Sequence, residues 1–263
     1  MTDHPAPAPG AVPLAPAARL WPALGAVYRA QLSRARVARI PLLLVATFQS
    51  LGIMVLMRGV VDGGTGAEAR AVVAGSAVLV VAFVALNLLA QYFGQLRAGG
   101  GLDHYATLPV PAAAVALGTA AAYASFTVPG VLVTAVAGGL LYQLPLGGLW
   151  VLIAVVPLAG AALAGLGAAL GLLAPRAELA TLCGQLGMSA ALLLGVLPEG
   201  RLPEAVQRLR ELLPSSYGVD ALAAALGPSP DWGGVAGDLA VCAAVGAAAL
   251  ALATWSYRRA ALR

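Results

Sequence analysis

Lysine is absent from this 263-residue chain, and charge of either sign is scarce: fifteen arginines and eleven acidic residues make it 10% charged, against roughly 25% in soluble domains. A phosphate-binding loop of the form G-x-x-x-x-G-K-[ST] needs its lysine on the nucleotide, so this chain cannot supply one. The only histidines are His4 and His104, both outside the apolar runs. That excludes an intramembrane Ser–His pair and a His-rich metal site. Cys183 and Cys242 lie inside separate apolar runs and read as small fillers, far from metal-ligand spacing. No stretch interleaves basic and aromatic residues, so a nucleic-acid partner is not expected. The apolar runs carry no ionisable residue near their middles, which argues against the proton relay of an ion-coupled carrier. Asp238 falls at the outer end of the last run. The first 18 residues hold five prolines and no lysine or arginine. They lack the basic start of a secretory signal, and residues 1–18 read as a disordered Pro/Ala-rich cytoplasmic tail.

What is present is hydrophobic length. Between Asp103 and Arg176 the chain runs 72 residues without a formal charge, and 60% of all residues are hydrophobic. A helix crossing the hydrocarbon layer needs about 20 apolar residues, so this gap holds two spans and a turn. Shorter charge-free runs cover Ile40–Met57, Ala71–Leu96, Leu179–Pro198 and Leu239–Tyr257. The last is mostly alanine; its leucines and valines contribute together about −1.5 to −3 kcal/mol of insertion free energy, which one central Arg or Asp would cancel. None is present, and Trp255 and Tyr257 close the run as interfacial aromatics. The expectation is an all-α membrane protein, one permease-like domain over residues 19–263. Its six transmembrane helices lie at about 40–57, 71–94, 112–142, 149–174, 179–198 and 235–257.

With six spans and the amino terminus inside, ten arginines face the cytoplasm and five face out, as the positive-inside rule requires. This predicts a multi-pass protein of the cell (plasma) membrane with both termini cytoplasmic. Before the first span, Leu20, Leu24, Tyr28 and Leu32 recur every four residues, with Arg34, Arg36 and Arg39 in the later turns. That pattern predicts an amphipathic N-terminal interfacial helix on the inner leaflet, its arginines within reach of anionic lipid. In the second span Asn87 and Gln91, one turn apart, should seek a neighbouring helix. Pro129 should kink the third span. In the fourth, Gly160, Ala164 and Ala168 form a small-residue stripe, with Gly167 and Gly171 beside it, that allows close helix approach. Between the fifth and sixth spans, Leu202, Val206, Leu209 and Leu213 share one helical face. Pro214 should end that helix, and Ser215 or Ser216 should cap a second one through Leu226. These are expected as two short outer helices, lying against the leaflet or re-entrant.

Two segments carry a resemblance: RAGGGLDHYATLPVPAAAVALGTAAA, from Arg97 to Ala122, and LPEAVQRLRELLPSSYGVDALAAAL, from Leu202 to Leu226. With their order in a six-span plan, they resemble the permease subunits of type-2 ABC exporters. That family carries an L-x-x-L-P-V-like segment at the cytoplasmic junction of spans two and three. It carries an L-P-x-[ST]-Y-x-x-D-A-L-like segment before the last span. The resemblance implies two facing permease chains, as a homo- or heterodimer. Below them it implies two separate P-loop ATPase subunits, which would bind the ATP; no cofactor is expected in this chain. It also implies an ATPase-coupling loop of Leu102, Asp103, Tyr105, Leu108, Pro109 and Val110, and an outer gate at Tyr217, Asp220 and Leu222. Asp103 would cap a short helix whose apolar face docks in the partner, with Gly99 to Gly101 letting it move. This chain departs from many relatives in having Pro111, Ala112 and Ala113 where they carry a basic residue. Arg97 is left as the only base in the loop.

The expected function is therefore a membrane-spanning permease subunit, without its own ATPase site. It would move an amphiphilic or hydrophobic compound such as a drug, a polyketide or a lipid out of the cell by alternating access. A non-transporting membrane scaffold and a secondary carrier are the alternatives, and possession of an ATPase partner separates them.

Overall fold

The computed structural model describes residues 18–38, 40–59, 66–196, 210 and 213–261. Among these residues there is no strand. The helices, in chain order, are α1 (Leu20–Ala38), α2 (Ile40–Met57), α3 (Ala67–Ala98), α4 (Gly101–Ala106), α5 (Ala112–Leu141), α6 (Leu152–Leu173), α7 (Ala177–Val196), α8 (Pro214–Ala225) and α9 (Trp232–Ala261). A 3-10 turn, Leu146–Val151, leads into α6. Six of these are long and apolar enough to cross a membrane: α2, α3, α5, α6 with its leading turn, α7 and α9. Helices α3 and α9 extend past both ends of their charge-free runs, because arginine and acidic side chains at helix ends reach the interface at little cost.

The helix α3 is the axis of the bundle, nearly all of its length buried, whereas α2, α7 and α9 keep most of their surface outward. Its middle, Ala82–Leu88, is a π-helical segment. Glycines on two neighbours meet that segment: Gly167 of α6 lies against the carbonyls of Ala85 and Leu86, and Gly184 and Gly187 of α7 lie against Asn87 and Leu86. One turn further along α6, Gly171 meets the Ala90 carbonyl. The small-residue stripe thus serves several partners at once, since Gly160 packs on Ala124 of α5 and Ala164 and Ala168 are buried. Without water in the bilayer to drive association, such close backbone approach is what holds helices together. Asn87 is buried against Gly184 of α7, so this face packs on a neighbouring helix as expected. Gln91 Nε2 donates to Asn87 Oδ1 at 3.0 Å along the same helix. Gly184 on the facing helix offers no side chain to bond.

Both α1 and α2 run alongside α5 in its own direction. Ala18 N donates to Pro109 O at 2.9 Å, Leu24 and Val27 pack over Gly118, and further on Thr47 and Met54 pack over Gly130 and Gly138. In α1 the docked stripe is Ala23, Val27 and Gln31, one residue before the predicted leucine repeat. Leu20 stays exposed, and Leu24, Tyr28 and Leu32 are only half-buried. The smaller Ala23 and Val27 win the contact because the Leu24 backbone must come against Gly118. Arg39 lies outside the described residues, as do the side chains of Arg34 and Arg36.

The helix α5 remains one helix through Pro129. Its far end closes with Leu144 N donating to Gly139 O at 2.8 Å and Gln143 N to Leu140 O at 3.4 Å. Gln143 takes φ 54° there, the left-handed position that glycine normally fills. Gln143→Gly should therefore raise stability by about 1 kcal/mol, read as a higher midpoint of thermal unfolding in detergent. An unchanged or lower midpoint would show that the glutamine side chain compensates.

Candidate functional site

One end of the bundle gathers the start of α1, the whole of α4, and the ends of α3, α6 and α9. The arginine count predicts this end to be the cytoplasmic one. The three glycines after α3 turn the chain sharply: Gly99 caps α3 and Gly100 takes φ 67°, a backbone state that a residue with a Cβ enters at a cost. The turn launches α4 at Gly101, two residues before Asp103. Asp103 therefore sits in the first turn of the helix and not at the position before it; its side chain lies outside the described residues. After α4, Leu108 N donates to Tyr105 O at 3.2 Å and Val110 N to Leu108 O at 2.7 Å. A tight loop results, ending at Pro111 where α5 begins.

The predicted coupling residues divide into two groups. Leu102 is buried, and Tyr105 and Val110 are half-buried against the bundle core. The apolar face of α4 is thus turned inward and anchors the loop. Leu108, 40% exposed, and Pro109 project from the end. Arg97 is also drawn inside: its Nη1 donates to Leu172 O at 2.7 Å and Ala174 O at 2.8 Å. These carbonyls end α6 and have no helical partner, so a guanidinium satisfies them and complements the negative end of the helix dipole.

Behind the loop lies an aromatic cluster that sequence reasoning missed. Tyr92 packs edge-on to Phe93 (centroids 5.3 Å apart) and against Tyr123 (5.9 Å), and Phe93 meets Tyr257 at 6.4 Å. Gln31 Nε2 donates to the Tyr92 hydroxyl at 2.7 Å. This ties α1 to α3, and through the rings to α5 and α9. The signal in the sequence was Gln31 itself, a polar residue one turn after Val27 on the face that docks.

At the opposite end, α8 enters the bundle. Its first residue, Pro214, accepts at its carbonyl a hydrogen bond from Cys242 Sγ at 3.4 Å. Cys242 is ten residues into α9, about 15 Å along it. The far end of α8 lies buried near the starts of α6 and α3, with Ala225 against Gly148 and Gly227 beside Arg70. The amino end of α8 therefore points inward between α3, α6 and α9. This arrangement corrects the expectation that a serine caps the helix. Pro214 opens it at the first position, where a missing N–H costs nothing. Ser215 and Ser216 are buried, their hydroxyls without a hydrogen-bond partner among the described residues. Of the outer-gate candidates, Leu222 is fully buried and Tyr217 half-buried. Asp220 forms an ion pair with Arg210, whose side chain is 8% exposed. Most of the preceding outer helix, predicted from Leu202 to Leu213, lies outside the described residues.

No group of three His, Cys, Asp or Glu side chains among the described residues is placed to hold a metal. Comparison with curated proteins found no match. Residues 24–226 match the ABC-2 type transporter family, from the half-buried Leu24 of α1 to the end of α8. With six apolar helices around one buried axis, the chain belongs to that family and is the membrane-spanning permease part of an ABC transporter.

Proposed function

We propose that this chain is a half-size permease that exports an amphiphilic or hydrophobic compound from the cell, driven by a separate P-loop ATPase. The supporting observation is the exposed Leu108–Pro109 tip, held on an anchored α4 at the end where α1 begins and α9 stops. An apolar tip on a rigid base suits insertion into a groove of a soluble partner. Closure of the partner on ATP would push α4. Tyr105 and Leu102 would pass that movement to the bundle, and the Pro109–Ala18 bond would pass it to α1. At the outer end α8, with Tyr217 and Asp220, would act as the gate in an alternating-access cycle. Two copies, or this chain and a similar one, would enclose the path. The membrane lies around α2, α7 and α9, with both termini cytoplasmic. The apolar character of the span middles favours a hydrophobic drug, polyketide or lipid-like cargo over an ion.

Tagging the chain, extracting it gently from its native membrane and identifying what co-purifies tests this reading. A stoichiometric P-loop ATPase whose turnover responds to the permease is expected. Recovery of the chain alone, under conditions that preserve other ABC complexes, would replace the exporter with a scaffold.

A further inference from the structure

Along one side of the bundle α5 and α6 part to leave a groove of about 860 Å³. One wall is a single face of α5, from Leu117 through Ala121 and Ser125 to Leu132. Trp150 and Ile153 form much of the other. The fifteen residue-to-residue rises of about 1.5 Å from Leu117 to Leu132 make the groove about 22 Å long, most of the roughly 30 Å hydrocarbon layer. No charged residue lines it, and the side-chain polar atoms along it are the Ser125 hydroxyl and the Trp150 indole N–H.

Its ends are marked by tryptophan. Trp150 packs against Trp232, ring centroids 5.2 Å apart, where α6 and α9 begin. At the other end Leu24 of α1 lines the groove, one turn from Trp21, which is 78% exposed. Tryptophans favour the headgroup level, so the groove runs between the two interfaces, parallel to the lipid chains. Its back is closed where Gly160 packs on Ala124. Its mouth is open sideways, with Leu132 and Ile153 exposed.

We propose that this groove holds a hydrocarbon chain of a membrane phospholipid as a resident ligand that joins α1 to α6. The inference stands apart from the export reading. Lipid tails are as apolar as leucine, so burial alone favours no particular lipid position. A concave groove closed behind gives a chain more van der Waals contacts than its lipid neighbours do, and that selects a retained chain over an exchanging one. The closed back also argues against a cargo route, because the groove does not pass between α5 and α6 at Gly160. The chain would bridge Leu24 of α1 to Pro157 and Ala161 of α6.

Native mass spectrometry of the full chain, after detergent washing that removes loosely held lipid, should retain one phospholipid per chain. Ala121→Phe with Ser125→Phe fills the groove at two exposed positions, and occupancy should fall at least tenfold with the unfolding midpoint little changed. A phospholipid with a photoreactive acyl chain, used on the unsubstituted protein in liposomes, keeps the test decisive if that variant misfolds. Labelling should concentrate on the 117–132 and 149–161 segments. Absence of retained phospholipid, equal retention by the variant, or labelling as strong on the Phe48 and Val55 face of α2 would overturn the proposal and leave exchanging lipid only.

Discussion

Gly167→Val is expected to prevent recovery of folded protein, or to lower its stability by more than about 3 kcal/mol. A Cβ at this position would fall on the Leu86 carbonyl, with the Ala85 carbonyl at 2.9 Å and the Leu86 Cα at 3.0 Å. All three are backbone atoms of α3, so no rotamer change relieves them. Overpacking of flexible cores costs about 1–3 kcal/mol, and here the wall is rigid and the valine carries two further methyls. That loss is a large share of a typical stability of roughly 5–15 kcal/mol. Gly52→Ala is the matched control: nothing lies within 4 Å of a Cβ there, and alanine favours the helix by about 1 kcal/mol. The measurement is monodispersity and thermal unfolding in detergent for both variants. Wild-type behaviour by Gly167→Val would mean that α3 and α6 do not pack backbone to backbone.

Leu108→Asp should leave the fold intact and abolish partner coupling. The side chain projects from the loop, and exposed substitutions of this kind usually change stability by less than about 0.5 kcal/mol. In a docked apolar contact the new carboxylate would be buried without a partner, at a cost of about 3 kcal/mol, roughly a hundredfold in affinity. Co-purification of the ATPase and stimulation of its turnover are the readouts. Tyr105→Asp makes a poorer probe, because Tyr105 packs against the core and its loss would destabilise the loop as well. Full association by Leu108→Asp would move the contact away from the α4 loop.

The six spans were legible because the bilayer penalises one mistake above others, a charge at mid-depth. The runs between Asp103 and Arg176, or from Ile40 to Met57, satisfy that test residue by residue. Glycine and alanine positions in α6 were legible as contact points for a related reason: where tails and side chains are equally apolar, small residues mark close approach. Hydropathy did not reveal which neighbour each glycine meets. Nor did it reveal that α3 is the axis while the equally apolar α2 faces outward. An apolar side chain satisfies lipid and protein alike, so its partner is decided by shape.

The proposed coupling segment reads as a motif and not as a surface. Its apolar residues were grouped as one contact, yet packing takes Leu102 and Tyr105 into the bundle and leaves Leu108 and Pro109 outside. Arg97 shows the same limit: it reads as the only base in the loop, while the open carbonyls that end α6 claim it from 75 residues away. The leucine repeat of α1 gave the helix and missed its docking face by one residue, because Gly118 favours the smaller side chains beside it.

The sequence by itself determined the solvent, the number of spans, the predicted orientation and the family, since these rest on composition, charge placement and short linear motifs. Tertiary structure alone decided the buried axis at α3, the inward-pointing α8, the exposed Leu108 tip and the groove between α5 and α6. Each depends on steric fit between residues far apart in the chain, and in a lipid solvent hydrophobicity cannot stand in for that fit.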